Sequence, residues 1–252
     1  MGFLQRIINL LIPSNCTICK RATNGSQICE ECSDKFIKET FLTCGECFKS
    51  ASKCMCRTDL TTHTKTTILD RKFISLSFYK SKCLQSDERI TESMIFALKD
   101  QGAFADYFAT LLSREIKSLF ERADINLDEW LITYPPRSIE KFSEKGFDQS
   151  EEIARKIAKK LGIKFSKTFT RADFGEVQKN LSAKERHSNA EESLIPIREK
   201  ILEGGKYIIF DDIITTGATL ETMAKHLYFF GAESVFPVSI ARTYHSSDKV
   251  LK

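Results

Sequence analysis

The sequence predicts an α/β protein: a small cysteine-rich module followed by a domain built on a parallel sheet. Three observations lead there. From Ile68 onward, apolar or alternating runs take turns with stretches of helical periodicity, the pattern of strands joined by crossover helices. One run, Tyr207-Ile208-Ile209-Phe210, has no polar residue on either face, as a strand covered on both sides requires. Eight of the nine cysteines crowd between Cys16 and Cys56.

Residues 1–13 (MGFLQRIINLLIP) put Phe3, Leu4, Ile7, Ile8 and Leu11 on one helical face, which predicts an amphipathic N-terminal helix. The run is short, is interrupted by Arg6 and Asn9, and lacks a small-residue cleavage site. It reads neither as a signal peptide nor as a membrane span, and at most peripheral membrane contact is expected. A cytoplasmic location with reduced thiols follows.

Residues 14–60 form the cysteine module. Cys16/Cys19, Cys29/Cys32 and Cys44/Cys47 are Cys-x-x-Cys pairs, and Cys54/Cys56 is a tighter Cys-x-Cys. Two thiolate pairs complete a tetrahedral S4 zinc site, so eight cysteines provide for one or two structural Zn2+. Sequential pairing gives Cys16/19/29/32 and Cys44/47/54/56; interleaved pairing remains open. Closed all-cysteine sites fold a small domain and leave no position for chemistry.

After a threonine-rich linker around His63, residues 68–243 form the main domain. Strands are expected at Phe73–Tyr79 and Trp130–Tyr134, the second halted by Pro135-Pro136. Helices are expected at Thr91–Leu98, before a polar turn Lys99–Gly102, and over about residues 103–120. Asp148 caps a helix that Gly162 ends; Ile153, Ile157 and Leu161 make its inner stripe and Arg155, Lys156, Lys159 and Lys160 its outer face. A short strand at Phe165–Phe169, a loop over Arg171–Asn189 and a late strand at Ser234–Ala241 complete the pattern.

The core run ends in Asp211 and Asp212, then turns through Thr215-Thr216-Gly217-Ala218-Thr219 into a helix carrying Leu220, Met223, Leu227 and Phe230 on one stripe. A helix N-terminus after a glycine turn offers unpaired N–H groups and partial positive charge to an anion. Two carboxylates beside it repel a bare phosphate but suit a phosphorylated sugar with a free vicinal diol, or a divalent cation. The local chemistry therefore fits a ribose 5-phosphate.

This run resembles the phosphoribosyl pyrophosphate (PRPP) motif of type I phosphoribosyltransferases. The resemblance implies that Asp211 and Asp212 take the ribose hydroxyls, that Thr215, Thr216, Gly217, Ala218 and Thr219 take the 5-phosphate, and that Mg2+ accompanies PRPP. It further implies that Arg137 and Lys145 hold the pyrophosphate and that residues 171–189 close over the sugar. The order of motifs also resembles the ComF family of bacterial competence proteins. The cysteine module, Met94-Ile-Phe-Ala-Leu-Lys99, Tyr134-Pro-Pro-Arg137, Lys145-Gly-Phe-Asp-Gln149 and the set Gln178, Leu181, Arg186, Asn189 carry it. Lys145 and Asp148 stand where that family usually has Arg and Asn. The resemblance implies a type I phosphoribosyltransferase-like domain behind a zinc-ribbon-like module, and a role in natural transformation. Single-stranded DNA and other competence proteins are then the expected partners.

A net charge of +4 and a pI near 8.5 permit a nucleic-acid partner without requiring one. Two other functions fit the residues: an active phosphoribosyltransferase with an unidentified acceptor, and a zinc-dependent nucleic-acid adaptor using the Arg155–Lys160 face.

Overall fold

The computed structural model describes residues 14–38, 73–79, 90–138, 142–144, 146–172 and 193–243. The expected N-terminal helix, the linker, Cys44, Cys47, Cys54, Cys56, Cys83, Lys145 and the set Gln178, Leu181, Arg186, Asn189 lie outside them.

A five-stranded sheet forms the frame. It is built from β3 (Ile74–Tyr79), β4 (Trp130–Thr133), β5 (Lys164–Phe165), β8 (Lys206–Ile214) and β9 (Ser234–Thr243). The order is β3-β9-β8-β4-β5, and every pairing is parallel. β8 lies in the middle because its side chains have core on both faces. Tyr207 and Ile209 join one hydrophobic cluster, Ile208 and Phe210 the other, and all four are fully buried. Strand alternation thus sorts one apolar run into two cores. Beside β8, Trp130 packs edge-on to Phe120 and Phe236 at 5.1 and 6.4 Å between ring centroids.

β8 runs farther than its apolar residues alone suggest. Asp211 pairs with Ser239, Ile213 with Ala241 and Ile214 with Arg242, so ladder bonds to β9 carry the strand through both acids. Helix α2 (Ile90–Gln101) likewise overruns the expected turn at Lys99–Gly102. Leu98 O accepts from Gly102 N at 2.9 Å, and Gly102 ends the helix at φ 67°. The turn composition misled because three polar residues also make a solvent-facing last helical turn. Helix α3 (Ala105–Arg122) follows.

Helix α4 (Gln149–Leu161) forms as its caps predict. Asp148 Oδ1 accepts from Ser150 N and Glu151 N, and Gly162 adopts φ 75°. The expected strand Phe165–Phe169 is two strands. β5 stops at Phe165, and Phe169 begins β6 (Phe169–Arg171), which pairs antiparallel with β7 (Leu194–Pro196) in a separate sheet. The chain leaves the main sheet at Ser166, which donates its N–H to Ile132 O at 2.9 Å, and Phe169 is buried with the face that carries Tyr207. Helix α5 (Ala218–Phe229) buries Leu220, Met223, Ala224 and Leu227.

The cysteine segment holds a small hairpin, β1 (Ser14–Asn15) with β2 (Ala22–Thr23), and helix α1 (Glu30–Ile37). It packs into the main core. Phe36 is fully buried edge-on to Tyr107 and Phe108, with ring centroids 5.9 and 5.8 Å apart. Gln27 Oε1 accepts from Phe104 N at 2.9 Å, meeting an otherwise open donor at the start of α3. Among the described residues no helix is long and apolar enough to cross a membrane.

Candidate functional site

Two clusters of chemically active side chains emerge. The first is Cys16, Cys19, Cys29 and Cys32, whose Sγ atoms all lie within 4.8 Å of one another. The hairpin presents the first pair and the entry to α1 the second. All four are free thiols, and Cys19 and Cys29 Sγ are 3.6 Å apart, far beyond a bonded disulfide. A tetrahedral S4 site with Zn–S near 2.3 Å has sulfur–sulfur edges of roughly 3.8 Å, so the donor set and spacing fit zinc. Burial pushes the Cys16 thiol up, but backbone N–H groups of Cys19, Cys29 and Ile18 outweigh it and bring the thiol down to about 6. Burial, followed by the neighbouring thiols, pushes Cys32 up. Several thiols this close cannot all ionise without a cation among them. These four cysteines can hold a metal ion such as zinc, in the sequential pairing.

The second cluster lies where β4 and β8 end, beyond the carboxyl edge of the parallel sheet, the usual location of ligands in such folds. Asp211 and Asp212 sit side by side on β8, and Asp211 Oδ1 accepts from Asp212 N at 2.9 Å. Asp211 is only partly buried and Asp212 is 8% exposed. Desolvation, reinforced by the Asp212 carboxylate, pushes the Asp211 carboxyl up to about 7 despite Lys99 and Arg171 nearby.

The turn beyond them is shaped for an anion. Gly217 takes φ 78°, a left-handed conformation that side-chain-bearing residues resist, and stands at the N-cap of α5 with no side chain of its own to fill the turn. Thr216 Oγ1 accepts from Ala218 N at 3.3 Å, and Thr243 Oγ1 at the end of β9 donates to Thr215 O at 3.1 Å. Thr215 and Thr216 are exposed, while Ala218 and Thr219 are half-buried in the first turn of α5. The structure thus brings Thr215 to Thr219 next to the acid pair.

Arg137 leaves the Pro135-Pro136 bend with its N–H donating to Asp148 Oδ2 at 2.8 Å. Its guanidinium lies 5.7 Å from the Phe147 ring centroid and donates to Phe147 O at 3.3 Å. Asp148 thus joins the proline bend to the start of α4. Burial pushes its carboxyl up, although three backbone N–H groups oppose that.

Sequence reasoning missed three residues at this rim. Arg171, assigned above to a covering loop, ends β6 and reaches back, donating from Nε to Pro136 O at 2.6 Å and from a terminal nitrogen to Ser193 Oγ at 2.7 Å. Desolvation lowers its guanidinium, against the pull of Asp211 and Asp148. Lys99 reaches Asp212 Oδ2 at 3.2 Å from α2, and Gln149 Nε2 donates to the same oxygen at 2.8 Å from α4. Both residues close runs that carry the family resemblance, Lys145-Gly-Phe-Asp-Gln149 and Met94-Ile-Phe-Ala-Leu-Lys99, but those runs alone give neither residue a role.

The basic face of α4 is largely neutralised. Arg155 pairs with Glu151 and covers Phe165 at 4.0 Å, Lys156 pairs with Glu152, and Lys160 with Asp106.

Comparisons with known proteins place similarities along the chain. The family described as "Phosphoribosyl transferase domain" matches residues 148–250. The DNA utilization protein YhgH of Salmonella typhimurium is 24% identical over 230 residues, covering 90% of each chain, and its Salmonella typhi counterpart gives the same figures. Among solved structures, the allosteric regulatory enzyme of purine biosynthesis aligns at 20% identity and a TM-score of 0.37, over 54% of this chain and 25% of that one. The chain thus spans about a quarter of that enzyme's length. A hypoxanthine-guanine phosphoribosyltransferase of Bacillus anthracis aligns at 11% identity and a TM-score of 0.37, over 59% and 73% of the two chains. Residues 148–250 are thus similar to a phosphoribosyl transferase domain, and the described residues form a five-stranded parallel sheet and a cysteine cluster able to hold a metal ion.

Proposed function

We propose that this chain, with its phosphoribosyl transferase domain behind a cysteine cluster in the ComF-family order, binds PRPP and serves natural transformation, handling single-stranded DNA at the cytoplasmic side of the inner membrane. One observation carries the binding reading: two adjacent carboxylates on β8 meet the glycine-capped N-terminus of α5 at the carboxyl rim of the sheet. The 5-phosphate would take the N–H groups of Gly217, Ala218 and Thr219 with the threonine hydroxyls, and the ribose diol would donate to Asp211 and Asp212. Arg137 and Lys145 would face the pyrophosphate. Mg2+ arriving with PRPP would neutralise charge that two aspartates otherwise repel. Zn2+ would be structural, held by Cys16, Cys19, Cys29 and Cys32 and, if a second ion binds, by Cys44, Cys47, Cys54 and Cys56.

Likeness to a DNA utilization protein over 90% of both chains supports the nucleic-acid side of the reading. The geometry does not favour the adaptor alternative, since Arg155, Lys156 and Lys160 on the basic face already have acidic partners. The test joins two assays. Asp211→Asn/Asp212→Asn should weaken PRPP binding by about a hundredfold in calorimetry, close to 2.7 kcal/mol. The same variant should fail to restore transformation to a transformable host lacking the gene. Full binding by the variant overturns the site; full complementation overturns the link between the site and DNA handling.

A further inference from the structure

The acid pair is not symmetric in its surroundings. Asp212 is 8% exposed, and two side chains from distant segments converge on one of its oxygens, Oδ2. Gln149 Nε2 donates at 2.8 Å and Lys99 Nζ stands at 3.2 Å. The other oxygen, Oδ1, has no partner among the described residues. Gln149 is 4% exposed, yet its amide oxygen also lacks a partner among the described residues. That amide oxygen is enclosed, so the polarity Gln149 can use here is its donor, which fixes the carboxylate of Asp212. Lys99 is on the last turn of α2, whose inner side buries Met94, Ile95 and Leu98, and its side chain is 41% exposed at the rim.

We propose that Lys99 and Gln149 are positioning residues that hold Asp212 by Oδ2, so that its Oδ1 is presented, together with the Asp211 carboxylate, to the 2- and 3-hydroxyls of a ribose phosphate. This rests on the PRPP-site reading above and adds the basis of its sugar selectivity. Without the two donors Asp212 loses its fixed orientation, and a site built to accept two hydroxyls then no longer rejects a sugar that lacks one. Selectivity of this kind arises because the wrong ligand leaves a buried polar group unpaired.

The experiment measures ribose 5-phosphate and 2-deoxyribose 5-phosphate binding by calorimetry on the full zinc-loaded chain. Wild type should prefer the ribo sugar by at least about tenfold. Lys99→Met and Gln149→Leu should each reduce that preference by about fivefold or more while leaving affinity for the deoxy sugar nearly unchanged. Lys99→Arg should restore part of it. In an Asp212→Asn background, Lys99→Met should add nothing, since the residue acts through Asp212. Thermal unfolding within a few degrees of wild type would separate this from a folding defect; Gln149→Leu replaces a buried amide by an apolar group of similar size. Undiminished ribo preference in Lys99→Met and Gln149→Leu overturns the proposal while the PRPP reading stands. A wild type that binds neither sugar, or both equally, overturns both.

Discussion

The cysteine cluster and the acid-pair rim are both places where groups that repel one another are held together, but they are assembled in opposite ways. The cluster draws its four ligands from Cys16 to Cys32, within one hairpin and the start of one helix. The rim draws on α2 for Lys99, the proline bend for Arg137, α4 for Gln149, β6 for Arg171 and β8 for its acids. A local cluster needs a cation to hold it and gains folding energy from that ion. A rim assembled from distant segments is held by the core beneath it, and the repulsion it stores is relieved by a ligand.

The difference is sharpest on removing one group from the local cluster. Cys32→Ser should release zinc, read as metal content per chain, and cost more than about 3 kcal/mol of stability. The loss should spread beyond the module, because Cys32, Cys16 and Ile28 belong to the same hydrophobic cluster as Phe104, Ile132 and Phe210. Unfolding followed by the fluorescence of the single tryptophan, Trp130, tests this. If the Trp130 transition is unmoved while zinc is lost, the module is energetically separate from the sheet.

A second substitution probes the joint between the two regions. Phe36→Ala empties a fully buried position against Tyr107 and Phe108 and should cost about 3 kcal/mol. Zinc content should stay near wild type, since no ligand is touched, and PRPP affinity should fall by less than about threefold. A large loss of PRPP affinity would instead tie the module to the rim through α3 and the neighbouring α2, which carries Lys99.

The same contrast governs what the sequence reveals. Cys-x-x-Cys spacing and Asp-Asp followed by Thr-Thr-Gly are local, so the donor set of the first cluster and the strand-turn-helix of the second are legible residue by residue. The central place of β8 is legible too, because only a strand covered on both faces tolerates Tyr207 to Phe210 in succession. Convergence of distant segments is not legible. Lys99 reads as part of a polar turn because nothing nearby records that α2 ends against Asp212. Arg171 reads as loop because its partners, Pro136 and Ser193, lie far off along the chain. The break between Phe165 and Phe169 is hidden for a similar reason: Phe169 fits a strand pattern, but its neighbour is Pro196 in another sheet.

The smallest effect concerns protons. Burial and Asp212 lift the Asp211 carboxyl from its usual 3.8 to about 7, so between those values the folded chain keeps a proton that the unfolded chain has lost. Stability therefore falls as pH rises through that window and levels off above it. Asp148, also pushed up by burial, adds a slope of the same sign. Asp211→Asn should remove the larger part of the slope and make the variant more stable than wild type at pH 8 by about 2 kcal/mol, read from urea midpoints across pH 4 to 8. Binding should run the other way: an ionised Asp211 accepts a sugar hydroxyl more strongly than a protonated one, so PRPP affinity should rise as pH passes about 7. Parallel pH profiles for wild type and Asp211→Asn would mean that the rim stores no such repulsion.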